Sequence, residues 1–359
     1  MNILYLISHA GRGGAEKYVE ELMRLCASRG WECRLGYWEE GPLSRKTAAA
    51  SFPVLRLDLR PSRALSAART LAACCRDCGV DVIHAQFPRE NVIAVLSRLF
   101  RPATRVVYTD HLSLEQGAKW RIINKLITPH DDAVVALYAG AASRLERSGA
   151  DPRRIRVIPN GVETGPLPPR QNVIREEFSL VEDCFVFLTL ARFAPEKGLD
   201  VLLSAAEKLR HNTDRPFVCL IAGEGEGLEP FRQEVSRRGL EGTILCPGYR
   251  QDARALLCSA DAYVSPSRSE AMSFAILEAM GCGLPLAVTD AGAGQELAEG
   301  CGLVSPAGDA RALAENMCQL MTNAETRAAM GRAAYRRVTE KYDLNRQAEA
   351  VMALYSGEK

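Results

Sequence analysis

The sequence predicts an α/β protein made of two doubly wound parallel sheets. Short apolar runs, many of them β-branched, alternate with segments that repeat apolar residues at helical spacing, which is the rhythm of βαβ units. That rhythm stops at residues 159–171, where Asn-Gly, Gly-Pro and Pro-Pro pairs signal turns, and then starts again. The length of 359 residues also suits two domains. We therefore expect two domains with a cleft between them, and ligands beyond the carboxyl ends of the strands.

Seven strands are predicted in the first half of the chain. Residues 2–8 form an apolar run typical of a buried strand, a glycine-rich loop follows at 11–14, and residues 15–29 repeat apolar side chains at helical spacing. A second clear helix is predicted at 64–78. The predicted strands are 2–8, 32–37, 54–57, 80–84, 104–109, 133–136 and 155–158.

The second half repeats the pattern and closes with helices. The predicted strands are 185–190, 217–222, 243–246, 262–265 and 286–289, and the closing helices are 310–321, 324–341 and 345–355.

Composition indicates a globular, intracellular protein. Hydrophobic residues make up 47% and charged residues 25% of the chain, and no apolar run approaches the ~20 residues of a membrane span. The first residues lack the basic leader of a signal peptide. Twelve cysteines are scattered through apolar segments, which is typical of buried thiols in a reducing compartment. We expect a cytoplasmic protein.

Charge divides unevenly along the chain. Residues 1–162 hold 24 Lys and Arg against 16 Asp and Glu, a net +8, whereas the remainder has a net −7. The basic half favours an anionic partner such as a phospholipid surface, a lipid phosphate or an acidic glycan, and we expect no nucleic-acid partner. In the segment 119–127, Trp120, Ile123 and Ile127 recur at helical spacing beside cations. This segment would either lie on a membrane surface or pack on the first sheet, and we favour packing.

The stretch 269–280 is the most informative motif. If a helix begins at Ser273, its first turn offers backbone N–H groups and the positive end of the helix dipole to a phosphate. Glu270 then lies just before this turn and Glu278 about two turns inside the helix, so the two acids would hold hydroxyls on either side of a diphosphate. A buried amphipathic helix that carries two acids by chance would give the same pattern.

Two further loops carry candidate phosphate ligands. Arg192 and Lys197 follow the first strand of the second half and would offset charge on a diphosphate, although two solvated surface cations would look alike. No Asp-x-Asp motif is present to hold a metal ion. Gly13 and Gly14 follow the first strand of the chain, either as a backbone approach to a ligand or as a simple turn. Glu16 stands where a dinucleotide fold needs a small residue, which argues against a nicotinamide enzyme.

His111 follows a predicted strand in Tyr-Thr-Asp-His. A histidine at the end of a strand in a cleft can hold a sugar hydroxyl or share a proton, and a structural histidine is the alternative.

Together these motifs resemble the retaining glycosyltransferases of family 4, which have the GT-B fold of two facing Rossmann-like domains. The resemblance covers nearly the whole chain. Its pieces are Gly-Gly-Ala-Glu at 13–16, Asp-Val-Ile-His-Ala at 81–85, Thr-Asp-His at 109–111, Val-Ile-Pro-Asn-Gly-Val at 157–162, 192–198, Ala-Gly-Glu-Gly at 222–225, and 270–285.

By this resemblance the donor site lies mostly in the second domain. The implied contacts are Arg192 and Lys197 with the diphosphate, Glu270 with the sugar hydroxyls, Glu278 with the ribose, and the backbone amides of Ser273, Phe274 and Ala275 with the phosphates.

The resemblance also implies roles for other residues. Gly13 and Gly14 would close on the donor from the first domain, His111 would touch the transferred sugar, and the loop 247–250 with Tyr249 would cradle the nucleobase. Glu270, His111, Arg192 and Lys197 are the implied catalytic residues. The family retains the anomeric configuration, needs no metal or other cofactor, and returns its last helix to the first domain. The implied domains are 1–162 with 343–359 on the acceptor side, and 163–342 on the donor side.

The chain departs from the family pattern at four positions. Ala271 and Ser273 stand where glycines are usual, Gln86 stands where many relatives have a second histidine, and Leu137 stands where many have serine. The departures at Ala271 and Ser273 affect which sugar the site accepts. Gln86 and Leu137 lie on the acceptor side.

The predicted function is metal-independent transfer of a hexose or N-acetylhexosamine, from a UDP-sugar or another nucleotide-diphosphate sugar, to a glycan or lipid-linked acceptor. The alternatives are a sugar-nucleotide 2-epimerase of the same fold and a non-catalytic subunit of a polysaccharide assembly system. Peripheral contact with the anionic inner face of a membrane stays open.

Overall fold

The computed structural model describes residues 1–112 and 117–357, which form two compact units. Unit 1 comprises Met1–Asn160 and the end of the chain from Asn345, and unit 2 comprises Gly161–Leu344. Each unit contains one parallel sheet with helices around it, so the predicted α/β class is confirmed.

Unit 1 contains a seven-stranded sheet in the order β3-β2-β1-β4-β5-β6-β7, and every neighbouring pair is parallel. Its strand at residues 2–9 is buried from Ile3 to Ile7, as expected for a strand covered on both faces. The strands are β1 (Asn2–His9), β2 (Glu32–Glu39), β3 (Val54–Arg56), β4 (Val82–Ala85), β5 (Arg105–Asp110), β6 (Ala133–Ala136) and β7 (Ile155–Val157).

The first helix of unit 1 buries one apolar stripe. In the first helix Tyr18, Leu22 and Cys26 recur every four residues and are fully buried, which is the predicted amphipathic pattern. The helices are α1 (Gly14–Ser28), α2 (Pro42–Ala49), α3 (Ala64–Asp77), α4 (Pro88–Ser97), α5 (Ala118–Ile127) and α6 (Ala139–Arg147).

Unit 2 contains a six-stranded parallel sheet. Five of its strands were predicted, and the edge strand at residues 302–305 was missed because three of its four residues are at least partly exposed and the segment lacks a long apolar run. The strands, in the sheet order β10-β9-β8-β11-β12-β13, are β8 (Phe185–Leu190), β9 (Phe217–Ala222), β10 (Ile244–Gly248), β11 (Ala262–Ser265), β12 (Leu286–Thr289) and β13 (Gly302–Ser305).

Helices surround this second sheet, and a last helix returns to unit 1. No helix of the described residues combines the length and the apolar character needed to cross a bilayer. In the last helix the buried Tyr355 hydroxyl lies 2.5 Å from Nδ1 of His84 on β4. The helices are α7 (Val173–Glu177), α8 (Leu199–His211), α9 (Leu228–Arg237), α10 (Ala253–Ser259), α11 (Phe274–Gly281), α12 (Gly294–Ala298), α13 (Ala310–Thr322), α14 (Ala324–Lys341) and α15 (Leu344–Ser356).

Candidate active site

The loops at the carboxyl ends of β8 and β11 are fastened to each other in unit 2. The backbone N–H of Arg268, after β11, donates to the carbonyl of Glu196, after β8, at 2.8 Å. The Arg268 guanidinium also forms an ion pair with Asp200 in the first turn of α8, with one N–O distance of 2.6 Å. These contacts hold together the two loops that carry Arg192, Lys197 and Glu270.

Lys197 and Glu270 form an ion pair between these two loops. Lys197 ends a short 3₁₀ turn after β8, and Glu270 follows β11, 73 positions further along the chain. Only 18% of each side chain is exposed, so the pair is screened less by water than a surface pair would be. The structure therefore brings together a cation and a carboxylate that the sequence placed in separate motifs.

The backbone at Glu270 rests on the loop that follows β12. The amide of Ala293 donates to the Ala271 carbonyl at 2.9 Å. Gly292 has a φ of +58°, and a Cβ at this position would lie 1.9 Å from the Glu270 carbonyl oxygen. Only glycine fits both the conformation and this close approach. Gly292 was not among the predicted site residues, although the Ala-Gly-Ala-Gly run shortly after a predicted strand is a signal for such a contact.

Helix α11 begins as predicted beside Glu270. Ser273 is its N-cap, and the Ser273 hydroxyl oxygen accepts a hydrogen bond from the Ile276 N–H at 3.4 Å. Serine is a favoured N-cap residue, which gives a physical reason for serine at this position. Phe274 and Ala275 are the first two helical residues, where backbone N–H groups point out of the helix end.

Glu278 lies little more than one turn inside α11, not two turns, because the helix begins at Phe274. Its side chain is partly buried. Burial raises the pKa of the Tyr263 hydroxyl at β11, and the negative charges of Glu278 and Glu270 raise it further. The Tyr263 hydroxyl also contacts the Leu190 carbonyl at the end of β8, at 3.3 Å. Tyr263 therefore connects β11 to the end of β8 near the two predicted acids, a contact that the sequence did not predict.

Arg192 lies on the same loop as Lys197 but has a different partner. Its guanidinium donates to the Glu196 carboxylate at 2.7 Å, and 59% of its side chain is exposed. The residue lines a cavity of about 740 Å³ with Gly225 and Phe231, between the loops that follow β8 and β9. Arg192 therefore lies on the same loop as Lys197, but its positive charge is paired with Glu196 and not with Glu270.

Tyr249 follows β10 and has 51% of its surface exposed. Its neighbour Arg250 is held by Asp252 at 2.7 Å and by Glu177 at 2.5 Å, which fixes the end of this loop. An exposed ring on an anchored loop suits stacking of a planar base.

In unit 1 the glycine loop brings an acid to the start of α1. Gly13 is the N-cap, Gly14 is the first helical residue, and a Cβ at Gly13 would lie 2.7 Å from the Glu16 carboxylate. A carboxylate in the first turn of a helix stabilises the positive end of its dipole. A phosphate at this helix end would be repelled by that negative charge. A ligand hydroxyl, in contrast, could donate a hydrogen bond to the carboxylate, so the loop suits a hydroxyl group better than a diphosphate.

His111 lies at the carboxyl end of β5 in unit 1. Its Nε2 is 3.0 Å from Oε1 of Gln86, and its ring meets the Tyr18 ring edge-on with centroids 4.9 Å apart. Removal from water lowers the pKa of His111 to about 3. His111 is therefore a neutral group at ordinary pH.

No group of three or more His, Cys, Asp or Glu side chains suited to a metal ion occurs in the part of the chain that the structure describes.

Two family models match successive parts of the chain. The model described as Glycosyltransferase Family 4 matches residues 12–165, and the model described as Glycosyl transferases group 1 matches residues 170–337. The matches meet in the segment that the sequence analysis assigned to a linker.

Individual relatives agree with the family models. O-antigen chain mannosyltransferase C of Escherichia coli is 25% identical over 364 residues, which cover 96% of this chain and 94% of that protein. The UDP-Gal:alpha-D-GlcNAc-diphosphoundecaprenol alpha-1,3-galactosyltransferase of Escherichia coli is 27% identical over 234 residues, or 58% of each chain.

A solved structure shows the same fold. The crystal structure of Anabaena HepE in complex with UDP matches with a TM-score of 0.86 and 21% sequence identity, over 99% of this chain and 100% of that one. This likeness confirms the predicted GT-B fold.

Proposed function

We propose a specific reaction for this chain. The chain belongs to the family 4 glycosyltransferases (glycosyl transferases group 1) and is therefore a sugar-transferring enzyme. It moves a hexose or an N-acetylhexosamine from a nucleotide-diphosphate sugar, with UDP as the nucleotide, to a hydroxyl group of a glycan or lipid-linked acceptor. The transfer retains the anomeric configuration and proceeds without a metal ion.

The Lys197–Glu270 ion pair carries this proposal. Without donor, each charge is neutralised by the other. A diphosphate sugar would offer both groups better partners, since its phosphate oxygens attract the Lys197 ammonium and its sugar hydroxyls donate to the Glu270 carboxylate. The ion pair is thus a preformed site. When the ligand binds, Lys197 would move to its diphosphate and Glu270 to its sugar.

The charges that develop during transfer match this arrangement. The bond between the anomeric carbon and the β-phosphate oxygen breaks, and its electron pair stays on the diphosphate. Lys197 and the N-terminus of α11 stabilise that negative charge, and Arg192 joins them by exchanging Glu196 for a phosphate. The acceptor hydroxyl attacks the same face of the sugar, forms the new glycosidic bond and passes its proton to the departing phosphate oxygen.

Two related proteins support the nucleotide and acceptor classes. HepE was crystallised with UDP, with UDP and glucose, and with UDP-glucose. The name of the Escherichia coli galactosyltransferase contains both a UDP-sugar donor and a lipid diphosphate acceptor. We carry these classes over to this chain as part of the proposal.

Turnover of candidate donors tests the reaction. UDP-, GDP- and ADP-sugars are first ranked by the rise in melting temperature, since a donor at 100 times its Kd stabilises by about 2.7 kcal/mol. The best donor is then incubated with short glycans and lipid-linked sugars in EDTA, and products are read by NMR. We expect release of UDP and a product with the donor's anomeric configuration. An inverted product, or activity that EDTA abolishes, contradicts the proposal.

The same assay separates the alternatives. A 2-epimerase would convert the donor into a new sugar nucleotide with no acceptor present. A non-catalytic subunit would bind the donor without releasing UDP under any of these conditions.

We also propose that helix α5 contacts an anionic phospholipid surface. Trp120, Ile123 and Ile127, for which packing was the favoured expectation, are partly buried, and Ile127 packs against the core of unit 1. The helix nevertheless leaves 63% of Ile122 and 66% of Leu126 exposed, and these two residues lie one turn apart.

The exposed stripe of α5 is extended by a neighbouring loop and flanked by cations. Leu99, which is 70% exposed, lines the same cavity of about 480 Å³ as Leu126. Arg121 and Lys125 on α5 are exposed beside the stripe. Apolar side chains flanked by Lys and Arg suit the interface of an anionic bilayer, where each cation near the surface contributes about 1 kcal/mol.

Vesicle binding tests this contact. In co-sedimentation with phosphatidylglycerol vesicles, Ile122→Ser/Leu126→Ser is expected to bind about tenfold more weakly than the unchanged protein, because two large apolar side chains no longer insert. The matched control Val54→Ser/Leu65→Ser removes two exposed apolar side chains of unit 1 elsewhere and should bind normally. Equal binding of the two variants to phosphatidylglycerol vesicles argues against the contact. So does equal binding of the unchanged protein to phosphatidylglycerol and phosphatidylcholine vesicles.

A further inference from the structure

Gln86 and His111 meet at the carboxyl edge of the unit 1 sheet. They follow β4 and β5, which are neighbouring parallel strands. The Gln86 side chain is fully buried, and its backbone N–H donates to the Leu6 carbonyl of β1 at 3.1 Å. A buried glutamine on a backbone pinned in this way has little freedom to move its side chain.

The hydrogen bonds of Gln86 fix the direction of its amide. The amide nitrogen of Gln86 lies 3.0 Å from the backbone carbonyl oxygen of His84, which can only accept. The amide oxygen must therefore face His111, whose Nε2 lies 3.0 Å away. That oxygen can only accept, so Nε2 of His111 must carry the proton.

The groups around the His111 imidazole leave it uncharged. Tyr18 from α1 and Phe87 from the start of α4 pack on the ring, with centroids 4.9 Å and 5.8 Å away. Burial raises the pKa of Tyr18 and is the main cause that lowers the pKa of His84 to about 3, so both neighbours are neutral. Asp110, the preceding residue, has its charge matched by Arg144 at 2.7 Å.

We infer that Gln86 is a positioning residue, which holds the His111 imidazole in the tautomer with its proton on Nε2 and presents Nδ1 as a hydrogen-bond acceptor. The ligand group that this nitrogen recognises is a hydroxyl that donates a proton, as on a sugar. A phosphate oxygen would be repelled. The ligand identity rests on the proposed function, whereas the tautomer does not.

The tautomer is measured directly on the unchanged protein. Histidine rings are labelled with ¹⁵N, and long-range ¹H–¹⁵N correlations are recorded from about pH 5.5 to about 8.5, with His111→Asn used only to assign the signals. We expect a protonated Nε2 and an unprotonated Nδ1 in His111 throughout. A proton on Nδ1, or a ring that charges within this range, overturns the inference even if the enzyme is a glycosyltransferase.

Substitution of Gln86 tests the effect on the reaction. Gln86→Leu removes the acceptor for the His111 N–H, so kcat should fall by about tenfold or more, the equivalent of one hydrogen bond. Gln86→Glu keeps an acceptor but adds a charge that favours the imidazolium. Its rate should approach that of the unchanged enzyme at high pH and fall as the pH drops, a dependence that the unchanged enzyme lacks.

A buried amide elsewhere in unit 1 is the control. Asn91, on α4, donates to Asp131 at 2.9 Å. Asn91→Leu should lower the melting temperature without changing the pH profile of kcat. If Asn91→Leu and Gln86→Leu reduce kcat equally, or Gln86→Glu has a flat pH profile, Gln86 has only a structural role. If no donor is turned over by any variant, the proposed function fails while the NMR result stands.

Discussion

Replacing Lys197 with alanine is expected to lower kcat/KM for the sugar nucleotide by about 100- to 1,000-fold, the usual effect of removing one group that stabilises charge in a transition state. Lys197 is a partly buried cation whose partner in the structure, Glu270, would be drawn onto the donor sugar. Without Lys197, the negative charge of the departing diphosphate would lose one of the cations proposed to stabilise it. The loss should appear mainly in kcat, because that charge develops in the transition state.

Glu270→Ala is expected to cause a comparable loss of turnover but an opposite change in nucleotide affinity. Removing the carboxylate deletes a sugar contact, yet it also releases Lys197 and removes a negative charge beside the diphosphate. UDP without a sugar should therefore bind several-fold more tightly to Glu270→Ala and more weakly to Lys197→Ala. Isothermal titration with UDP, alongside donor turnover in the presence of EDTA, measures both effects.

Two controls accompany these variants. Lys208→Ala removes an exposed lysine of α8 in the same unit and should leave turnover and UDP affinity unchanged. Lys197→Arg keeps a positive charge and should recover part of the activity. Undiminished turnover in Lys197→Ala or Glu270→Ala would refute the roles assigned to this pair. Equal changes of UDP affinity in both variants would show that the two charges do not compete for the diphosphate.

Replacing Asp110 with alanine is expected to destabilise unit 1 by about 3–5 kcal/mol, because a buried charge would lose its partner. Asp110 is fully buried, accepts from the Tyr108 hydroxyl at 2.8 Å and pairs with the buried Arg144 at 2.7 Å. Arg144 also donates to the Leu112 carbonyl at 2.7 Å. The pair thus fastens α6 to the loop in which His111 stands, and its loss should release that loop as well as lower stability.

Urea unfolding, read at the transition of unit 1, measures this loss. Arg76→Ala breaks the exposed pair with Asp77 in the same unit and should cost less than about 1 kcal/mol. The double variant Asp110→Leu/Arg144→Met replaces both charges with apolar groups and should be more stable than Asp110→Ala. Similar stability for Asp110→Ala and Arg76→Ala would mean that water reaches Arg144 in the folded protein.

Local patterns predicted most of the secondary structure. The apolar run at 2–8 and the helical spacing at 15–29 became β1 and α1 because burial on two faces and burial along one stripe leave different periods in a sequence. The strand at 302–305 was missed because a short, partly exposed edge strand carries neither period clearly. The predicted start of α11 was correct within one residue because Ser273 is a favoured cap.

The partners of the site residues followed no local pattern. Lys197 and Arg192 lie in one motif and look equivalent, yet one pairs with Glu270 across 73 positions and the other with Glu196 four residues away. Gln86 looked only like a departure from related sequences, and its hydrogen bonds show that it orients His111. Gly292 was missed because its constraint is the Glu270 backbone in another loop.

The sequence by itself determined the class of fold, the order of the elements and the family, because these depend on periodicity and on motifs of a few adjacent residues. Only the tertiary structure decided which charges neutralise each other, which histidine nitrogen carries the proton and which apolar side chains of α5 remain exposed. Those properties depend on distances between groups that are remote in the chain. Such distances are set when the strands align side by side and bring the loops at their carboxyl ends into contact.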